Sequence, residues 1–166
     1  MRLALLLAAA SLTGCAEPAA LPADPTATLN PIVFFAGRSH GEARLHKIIG
    51  GETGVRVDSS GRPDGRGGLI LDQIIREGAK PPRKRTWLMQ PAGPNRFTGT
   101  LTDAIGPVAV TTSGPRADIR YRMKGGFEVT QQLAVQRDGR TVLNRLTVRK
   151  FGIRVARLDE TIRKLD

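Results

Sequence analysis

The clearest evidence for the fold class is the segment ADIRYRMKGGFEVTQQLAV, residues 117–135. Apolar and charged residues alternate strictly in its first half, which is the period of a β-strand with one buried face. The pair Gly125-Gly126 follows, and apolar residues then alternate again toward Val135. A Gly-Gly pair between two alternating runs is typical of a tight turn, so this segment predicts a β-hairpin.

The same pattern continues on both sides of this hairpin. Asp138-Gly139 predicts the next tight turn, and short alternating runs separated by Gly- and Pro-rich turns precede the hairpin. About ten short strands with no long helix predict an antiparallel meander, which loses its exposed edges by closing into a barrel. The predicted fold is therefore all-β, an antiparallel up-and-down barrel of about 8–10 strands, either filled or holding one small ligand. The apolar residues of the segment from Ile153 fit both the alternation of a strand and the spacing of a helix face. A strand that ends in a short helix is favoured.

Size and charge limit the classes of partner. The 166 residues are enough for one domain, and 26 Lys and Arg against 15 Asp and Glu give a net charge of +11. This charge favours anionic partners such as phospholipid headgroups, lipopolysaccharide or cell-wall polymers. Nucleic acid is discounted as a partner because the N-terminus carries an export signal.

The first fifteen residues have the pattern of a bacterial lipoprotein signal. Met1-Arg2 is positively charged, Leu3 to Leu12 is apolar but too short to span a bilayer, and Leu12-Thr13-Gly14-Cys15 matches the lipobox at all four positions. The pattern predicts that residues 1–14 are removed and that the Cys15 thiol is lipidated, which anchors the chain to a membrane. Because Ala16 and not Asp follows the cysteine, the expected location is the cell envelope, at the outer membrane facing the periplasm.

The segment after the cysteine separates the anchor from the barrel. Residues 15–30 are rich in Ala and Pro and have no periodicity, so they are expected to form an extended tether. The predicted barrel domain is residues 31–166, preceded by a short apolar plug at Ile32 to Gly37. Nothing after the signal is long and apolar enough to cross a membrane, so the folded part is expected to be soluble.

An ordered set of short motifs runs through this domain. They are Phe34-Phe35-x-Gly37, Gly41, Leu69-x-Leu71-Asp72, Arg85-x-Trp87, Gly99-x-Leu101-x-Asp103-x-x-Gly106, Asn144-Arg145 and Lys150-x-Gly152. Together they resemble an uncharacterised family of bacterial lipoproteins, domain of unknown function 3833, from Pro31 to about Lys164. One departure lies just after Asp72, where Gln73, Ile74 and Ile75 replace the acidic and aromatic residues of the family pattern.

The resemblance implies a lipocalin-like barrel on an envelope lipoprotein, with a suspected connection to membrane fatty-acid modification. In lipocalin-like folds an aromatic side chain near the entry packs beneath a late basic residue and closes one end of the barrel. By analogy, Phe34 or Phe35 would pack beneath Arg145 here.

Two groups of residues are candidates for ligand contact. Trp87, Tyr121, Met123 and Phe127 either line an apolar cavity or fill the core. Asn144 and Arg145 either bind a ligand headgroup or tie the end of the barrel together, and the structural role is favoured.

Other polar groups are less specific. His40, Glu42 and His46 share one strand face, but the two histidines are about 20 Å apart along an extended strand, so a solvated face is favoured over a metal site. Two groups of basic residues fit a surface that binds phosphates (a phosphate dock) and an ordinary solvated surface equally well. These groups are Lys80, Arg83, Lys84 and Arg85, and Arg116, Arg120, Arg122 and Lys124.

The sequence contains no recognisable catalytic motif, so neither enzymatic activity nor a cofactor or metal site is expected. The leading hypothesis is an envelope lipoprotein that binds or carries an apolar fatty-acyl or phospholipid ligand at the membrane surface. The alternative is a filled barrel that acts as a structural or interaction module. The sequence identifies no protein partner.

Overall fold

The computed structural model describes residues 19–166 as a closed antiparallel barrel. A short helix, α1 (Pro31–Phe35), precedes ten strands. The strands are β1 (Gly37–Lys47), β2 (Gly51–Pro63), β3 (Leu69–Glu77), β4 (Arg83–Pro91), β5 (Arg96–Leu101), β6 (Ala104–Ser113), β7 (Arg116–Met123), β8 (Phe127–Val135), β9 (Thr141–Lys150) and β10 (Ile153–Lys164). Each strand pairs with the next, and β10 pairs with β1, which confirms the predicted all-β up-and-down barrel.

Local sequence sets most of the strand boundaries. The predicted hairpin between β7 and β8 forms with a three-residue turn, residues 124–126, in which Gly125 and Gly126 both have positive φ, 80° and 76°. The helix considered for the last segment does not form, because β10 stays paired with both neighbours through Arg163. Within residues 19–166, no helix combines the length and apolarity needed to cross a bilayer.

The α1 helix and the C-terminus close one end of the barrel. Asn30 caps α1 by accepting hydrogen bonds from the backbone N–H groups of Ile32 and Val33. Phe34 and Phe35 are buried, with ring centroids 5.0 Å apart in an edge-to-face arrangement. We call this end, with the turns that follow the even-numbered strands, the closed end, and the opposite end, with the turns that follow the odd-numbered strands, the open end.

The basic residue at the closed end is Lys164 and not Arg145. The Lys164 ammonium donates to the carbonyl oxygens of Phe34, at 3.0 Å, and of Ala36. Arg145 lies on the outer wall, so the expectation that it packs over Phe34 or Phe35 is wrong.

Most of the predicted tether packs against the barrel. Leu21 and Leu29 are buried, and the Leu29 N–H donates to the carbonyl of Gly114 at 2.8 Å. The amide of Gln136 donates to the carbonyl of Pro22 at 2.8 Å. The prediction of an extended tether through residue 30 is therefore wrong for its second half, because Leu29 joins the apolar cluster of the closed end and Leu21 is also buried. Cys15 and the signal segment lie outside the described residues.

Side chains fill the closed half of the barrel. Ile162 is 7% exposed and Phe97 is partly buried, but most inward residues there are at most 5% exposed and belong to one apolar cluster with Phe34 and Phe35. They include Leu69, Met89, Val108, Val110, Ala117 and Val142. A separate small cluster of Ala43, Val55, Val57 and Ile75 covers the inner wall of β1 to β3 farther toward the open end.

Candidate ligand-binding site

A row of polar side chains crosses the barrel interior at mid-height. In the strand register Ser39 lies opposite Ser59, Ser59 opposite Gln73, and Gln73 opposite Arg85. Since residues at these positions share the inward face with Leu71 and Trp87, all four side chains project into the barrel. A polar layer therefore lies between the filled closed half and the open end.

Gln73 organises this layer. Its side-chain oxygen accepts one hydrogen bond from Arg85 Nε at 3.0 Å and one from Trp87 Nε1 at 2.9 Å. Its amide nitrogen donates to the Ser59 hydroxyl at 3.0 Å. These three bonds hold the guanidinium and the indole in fixed positions, so the departure from the family pattern after Asp72 places an amide at the centre of this layer.

Arg85 is the principal charged group of the interior. Within residues 19–166 no carboxylate lies within 4.0 Å of its guanidinium, and its bond to Gln73 is its only hydrogen bond. Burial lowers the pKa of Arg85, and nearby Tyr121 opposes that effect. An arginine nevertheless stays protonated at neutral pH, so the interior holds a cation whose terminal N–H donors have no hydrogen-bond partner among residues 19–166.

Two aromatic residues flank this cation. The guanidinium carbon lies 5.6 Å from the centroid of the Trp87 ring, and the Trp87 and Tyr121 rings meet edge to face at 5.9 Å. Burial raises the pKa of Tyr121, so its hydroxyl remains a hydrogen-bond donor at neutral pH.

The opposite wall of the interior carries an amide and a carboxyl group. Asn144 on β9 faces Glu160 on β10 and donates from Nδ2 to Glu160 Oε2 at 2.7 Å. Gly41 on β1 makes room for this carboxyl group, since any Cβ there would overlap it. Burial raises the pKa of Glu160 and so favours its neutral form.

Three buried polar atoms in the interior have no hydrogen-bond partner within the described part of the chain. They are Ser39 Oγ, Gln131 Oε1 and Asn144 Oδ1, and each residue is less than 9% exposed. Unpaired buried polar atoms are uncommon, because each costs about 1–3 kcal/mol. Polar groups of a ligand, or water molecules, would satisfy them.

The inner wall between the polar layer and the open end is apolar and reached by solvent. Several of its inward residues on β1 and on β7 to β10 are only half-buried. They include Leu45, Met123, Phe127, Leu146, Val148 and Leu158. A pocket of about 420 Å³ lies at this mouth, between Ile48 and Ile49 of the β1–β2 turn and the side chains of Met123, Phe127 and Val148.

The structure brings five of the six sequence-predicted ligand residues into this interior. Trp87, Tyr121 and Asn144 belong to the polar layer, while Met123 and Phe127 line the mouth. Arg145 does not join them.

Arg145 faces outward because adjacent strand residues point to opposite faces. It is paired with Asp159 at 2.9 Å and donates to the carbonyl of Ala19 at 2.7 Å. The prediction that Arg145 contacts a ligand together with Asn144 is thus not supported by its position.

Sequence reasoning missed Arg85, Gln73 and Glu160 as site residues. The sequence places Arg85 in a basic group that fits a phosphate dock and a solvated surface equally well, whereas its position two residues before Trp87 puts it on the inward face. His40 and His46 lie on the outer wall, where they contact Asp58 at 2.7 Å and Glu52 at 3.1 Å.

The family of this chain follows from a comparison with family models. The model of the protein of unknown function DUF3833 matches residues 9–164. The chain belongs to the DUF3833 family. No curated protein matches it in sequence.

Two solved structures share the fold of this DUF3833 chain. One is a protein of unknown function from the DUF3598 family of Nostoc punctiforme, with a TM-score of 0.64 and 14% identity over 84% of this chain. The chain spans 50% of that protein's length. The other is the S-type phycobiliprotein lyase from Guillardia theta, with a TM-score of 0.63 and 6% identity over 81% of this chain and 90% of the lyase. At these identities the similarity establishes the barrel fold and carries over no residue role.

Proposed function

We propose that this barrel binds an anionic acyl lipid, with the head group at Arg85 and the acyl chain directed toward the open end. The observation that carries the proposal is the Arg85 guanidinium, which lies in the barrel interior with no carboxylate within 4.0 Å among residues 19–166. A charge removed from bulk water is costly unless it is paired, and a carboxylate or phosphate of a ligand would pair it.

The surroundings of Arg85 suit an anionic head group. Gln73 fixes the guanidinium through Nε and leaves the terminal N–H groups free for a two-pronged bond to an oxyanion. Tyr121 adds a hydroxyl donor on the same side. Because burial favours the neutral form of Glu160, the carboxyl group on the opposite wall repels a bound anion less than an exposed glutamate would.

The apolar wall suits an acyl chain. From Asn144 to Lys150, β9 rises by about 20 Å along its axis, and its inward residues over that rise are Leu146 and Val148. The facing strands contribute Leu158, Met123 and Phe127. A ligand bound head-first would bury its chain against these side chains, and its end would reach the pocket at the mouth.

The resemblance in fold to a phycobiliprotein lyase is compatible with a barrel that holds a ligand. It supplies no ligand for this chain. The identification of an anionic acyl lipid rests on the charge of Arg85 and on the apolar wall above it.

We further propose that the protein acts as a lipid-anchored carrier in the cell envelope, at the outer membrane and facing the periplasm. The lipobox at Cys15 supports lipidation, and the net charge of +11 supports attraction to anionic membranes. With the chain held on the barrel from Ala19 onward, the predicted tether shortens to residues 16–18, which span at most about 11 Å when fully extended. Such a short tether would keep the barrel next to its membrane.

A binding titration with a paired control tests the lumen site. Calorimetric titration of the full-length protein with a fatty acid should give one saturable site, which Arg85→Gln weakens by about 10- to 100-fold, since a charged hydrogen bond contributes about 1.5–3 kcal/mol. Arg120→Gln, which removes an exposed arginine from the outer wall, should leave the affinity unchanged.

The head-group class is tested by ligands with the same acyl chain. A fatty acid and a lysophosphatidic acid should both bind, and a neutral monoglyceride should bind far more weakly. Native mass spectrometry of the protein isolated from its own envelope identifies the natural ligand. Equal loss of affinity in both arginine variants, or no binding of any acyl ligand, would contradict the proposal.

A further inference from the structure

The turns at the open end carry large apolar side chains that no other part of residues 19–166 covers. Ile49 is 89% exposed and Phe151 is 88% exposed, while Ile48 and Ile153 beside them are 67% and 64% exposed. Ile48 and Ile49 form the tip of the β1–β2 turn, and Phe151 forms the tip of the β9–β10 turn. Since β1 and β10 pair with each other, these two tips are neighbours.

The turns between strands at the closed end have no such residues in the described chain. They consist of Gly, Pro, Asp, Asn, Gln, Arg and Ala, and the exposed apolar residues of that end are Val33 on α1 and Leu165 near the C-terminus. An apolar tip is therefore a property of one end of the barrel and not of its turns in general.

Phe151, at the tip of the β9–β10 turn, has an unusual backbone conformation. It occupies a position of positive φ, 51°, followed by Gly152 with φ 77°, in a two-residue turn of the type that usually takes Asn-Gly. A bulky residue at positive φ is strained, and such strain persists where the side chain has a function. The strained residue here is 88% exposed.

Cations surround the apolar tips. Within residues 19–166, Lys124, Lys150 and Arg154 have no carboxylate within 4.0 Å. The Lys150 ammonium lies 5.6 Å from the Phe151 ring centroid and 4.9 Å from that of Phe127.

Several acidic groups of the same end are already neutralised. Glu52 is paired with Arg44, Glu77 with Lys47 and Lys80, and Asp103 with Arg83. The rim therefore combines exposed apolar side chains with unpaired positive charge, which is the composition of a surface that enters the interface of an anionic bilayer.

We propose that the open end of the barrel docks on an anionic phospholipid bilayer, with Ile48, Ile49 and Phe151 in the acyl region and Lys124, Lys150 and Arg154 at the phosphates. The pocket at the mouth lies directly behind Ile48 and Ile49, so an acyl chain would pass between bilayer and barrel without crossing water. The transfer of an acyl chain rests on the proposed function, whereas the docking of the open end on a bilayer is tested separately.

Tryptophan probes at the two ends test the docking in the full-length protein. Ile49→Trp places a probe at the open end, and Val33→Trp places a matched probe at the exposed face of α1 at the closed end. Each is mixed with vesicles containing about one-third phosphatidylglycerol in phosphatidylcholine, with brominated acyl chains that quench tryptophan on contact. The unsubstituted protein, which contains only Trp87, gives the background.

We expect the Ile49→Trp probe to lose at least about half of its emission in brominated vesicles and the Val33→Trp probe to be unaffected, because only the open end enters the interface. In the Ile49→Trp protein, Arg154→Glu should reduce the quenching to the value seen in vesicles of phosphatidylcholine alone. Arg137→Glu, an equal charge change in the closed-end turn between β8 and β9, should not.

Equal quenching of the two probes, or quenching of the Val33→Trp probe alone, would overturn the proposal. So would a concentration-dependent blue shift of the Ile49→Trp probe without vesicles, since a second copy of the chain would then cover the tips. Arg85→Gln should leave the quenching unchanged. If no acyl ligand binds in the lumen, the quenching experiment still tests docking. If the open end does not dock on vesicles, the calorimetric comparison of the wild type with Arg85→Gln still tests ligand binding in the lumen.

Discussion

The closed and open halves of the barrel are built from the same ten strands and the same alternation of side chains, yet their interiors differ. In the closed half, branched and long apolar residues such as Leu69, Met89 and Val142 meet the aromatic plug of α1 and leave them at most 5% exposed. In the open half, the inward positions include Gly41, Arg85 and Glu160, and no helix of residues 19–166 covers the end. Strand periodicity thus determines which residues face inward, while side-chain size and the plug determine whether the interior is full.

Under the proposed function, the two halves also divide stability from ligand binding. The closed half contains most of the fully buried apolar residues, which stabilise the fold through burial and packing. The polar layer and the wall above it hold unpaired buried groups, which cost stability and are retained where they serve a ligand. The same substitution should therefore cost more stability in the closed half than in the open half.

The largest expected effect is on stability. Phe35→Ala at the closed end should lower the free energy of unfolding by about 3–5 kcal/mol, because the ring is buried against Phe34 and its loss leaves a cavity. Phe127→Ala, the same change at the half-buried mouth, should cost less than about 1.5 kcal/mol. Chemical denaturation of both variants measures the difference, and equal losses would mean that the open half is as tightly packed as the closed half.

A smaller effect concerns pH and compares two adjacent carboxyl groups of β10. Glu160 faces inward, and burial raises its pKa, so the folded protein binds this proton more tightly than the unfolded chain does. The resulting stabilisation is complete below the ordinary value of 4.5 and is lost as the pH rises through the raised pKa. Glu160→Gln should therefore gain stability relative to the wild type as the pH rises above about 4.5.

Asp159, on the outer wall, should behave in the opposite way. Burial opposes its ionisation, but hydrogen bonds from Arg157 and Arg145 outweigh burial and lower its pKa. Its contribution is present above the ordinary value of 3.8 and is lost as the pH falls through the lowered pKa, so Asp159→Asn should cost most stability at neutral pH and least in acid. Unfolding curves from pH 3 to pH 8 compare the two variants, and the same trend in both would show that the two carboxyl groups share one environment.

Much of the fold could be predicted from the sequence because the signals are local. Alternation in residues 117–135 and the Gly-Gly and Asp-Gly turns determine strands and hairpins without reference to distant parts of the chain. The packing of residues 21–30 could not be predicted in this way. It depends on Leu21 and Leu29 meeting a surface that exists only after the barrel has closed.

The candidate site could be predicted in part. Trp87, Tyr121 and Asn144 were found because aromatic and amide side chains stand out on an apolar face. The pairing of Asn144 with Arg145 was wrong because neighbours on a strand face opposite sides, and Arg85 was missed because arginines are common on this surface. The link between Gln73, Arg85 and Trp87 crosses two strands, so only the register of β3 and β4 brings it together.

The central claim, that an anionic acyl lipid lies head-first in the open half, is tested most directly by the fluorescence of Trp87. Trp87 is the single tryptophan of the chain and contacts the polar layer through Gln73. The protein is titrated with two fatty acids that carry a nitroxide quencher, one near the carboxylate and one near the methyl end. Saturable quenching that is stronger for the label near the carboxylate is the predicted result. Stronger quenching by the label near the methyl end, or quenching that does not saturate, would contradict the account.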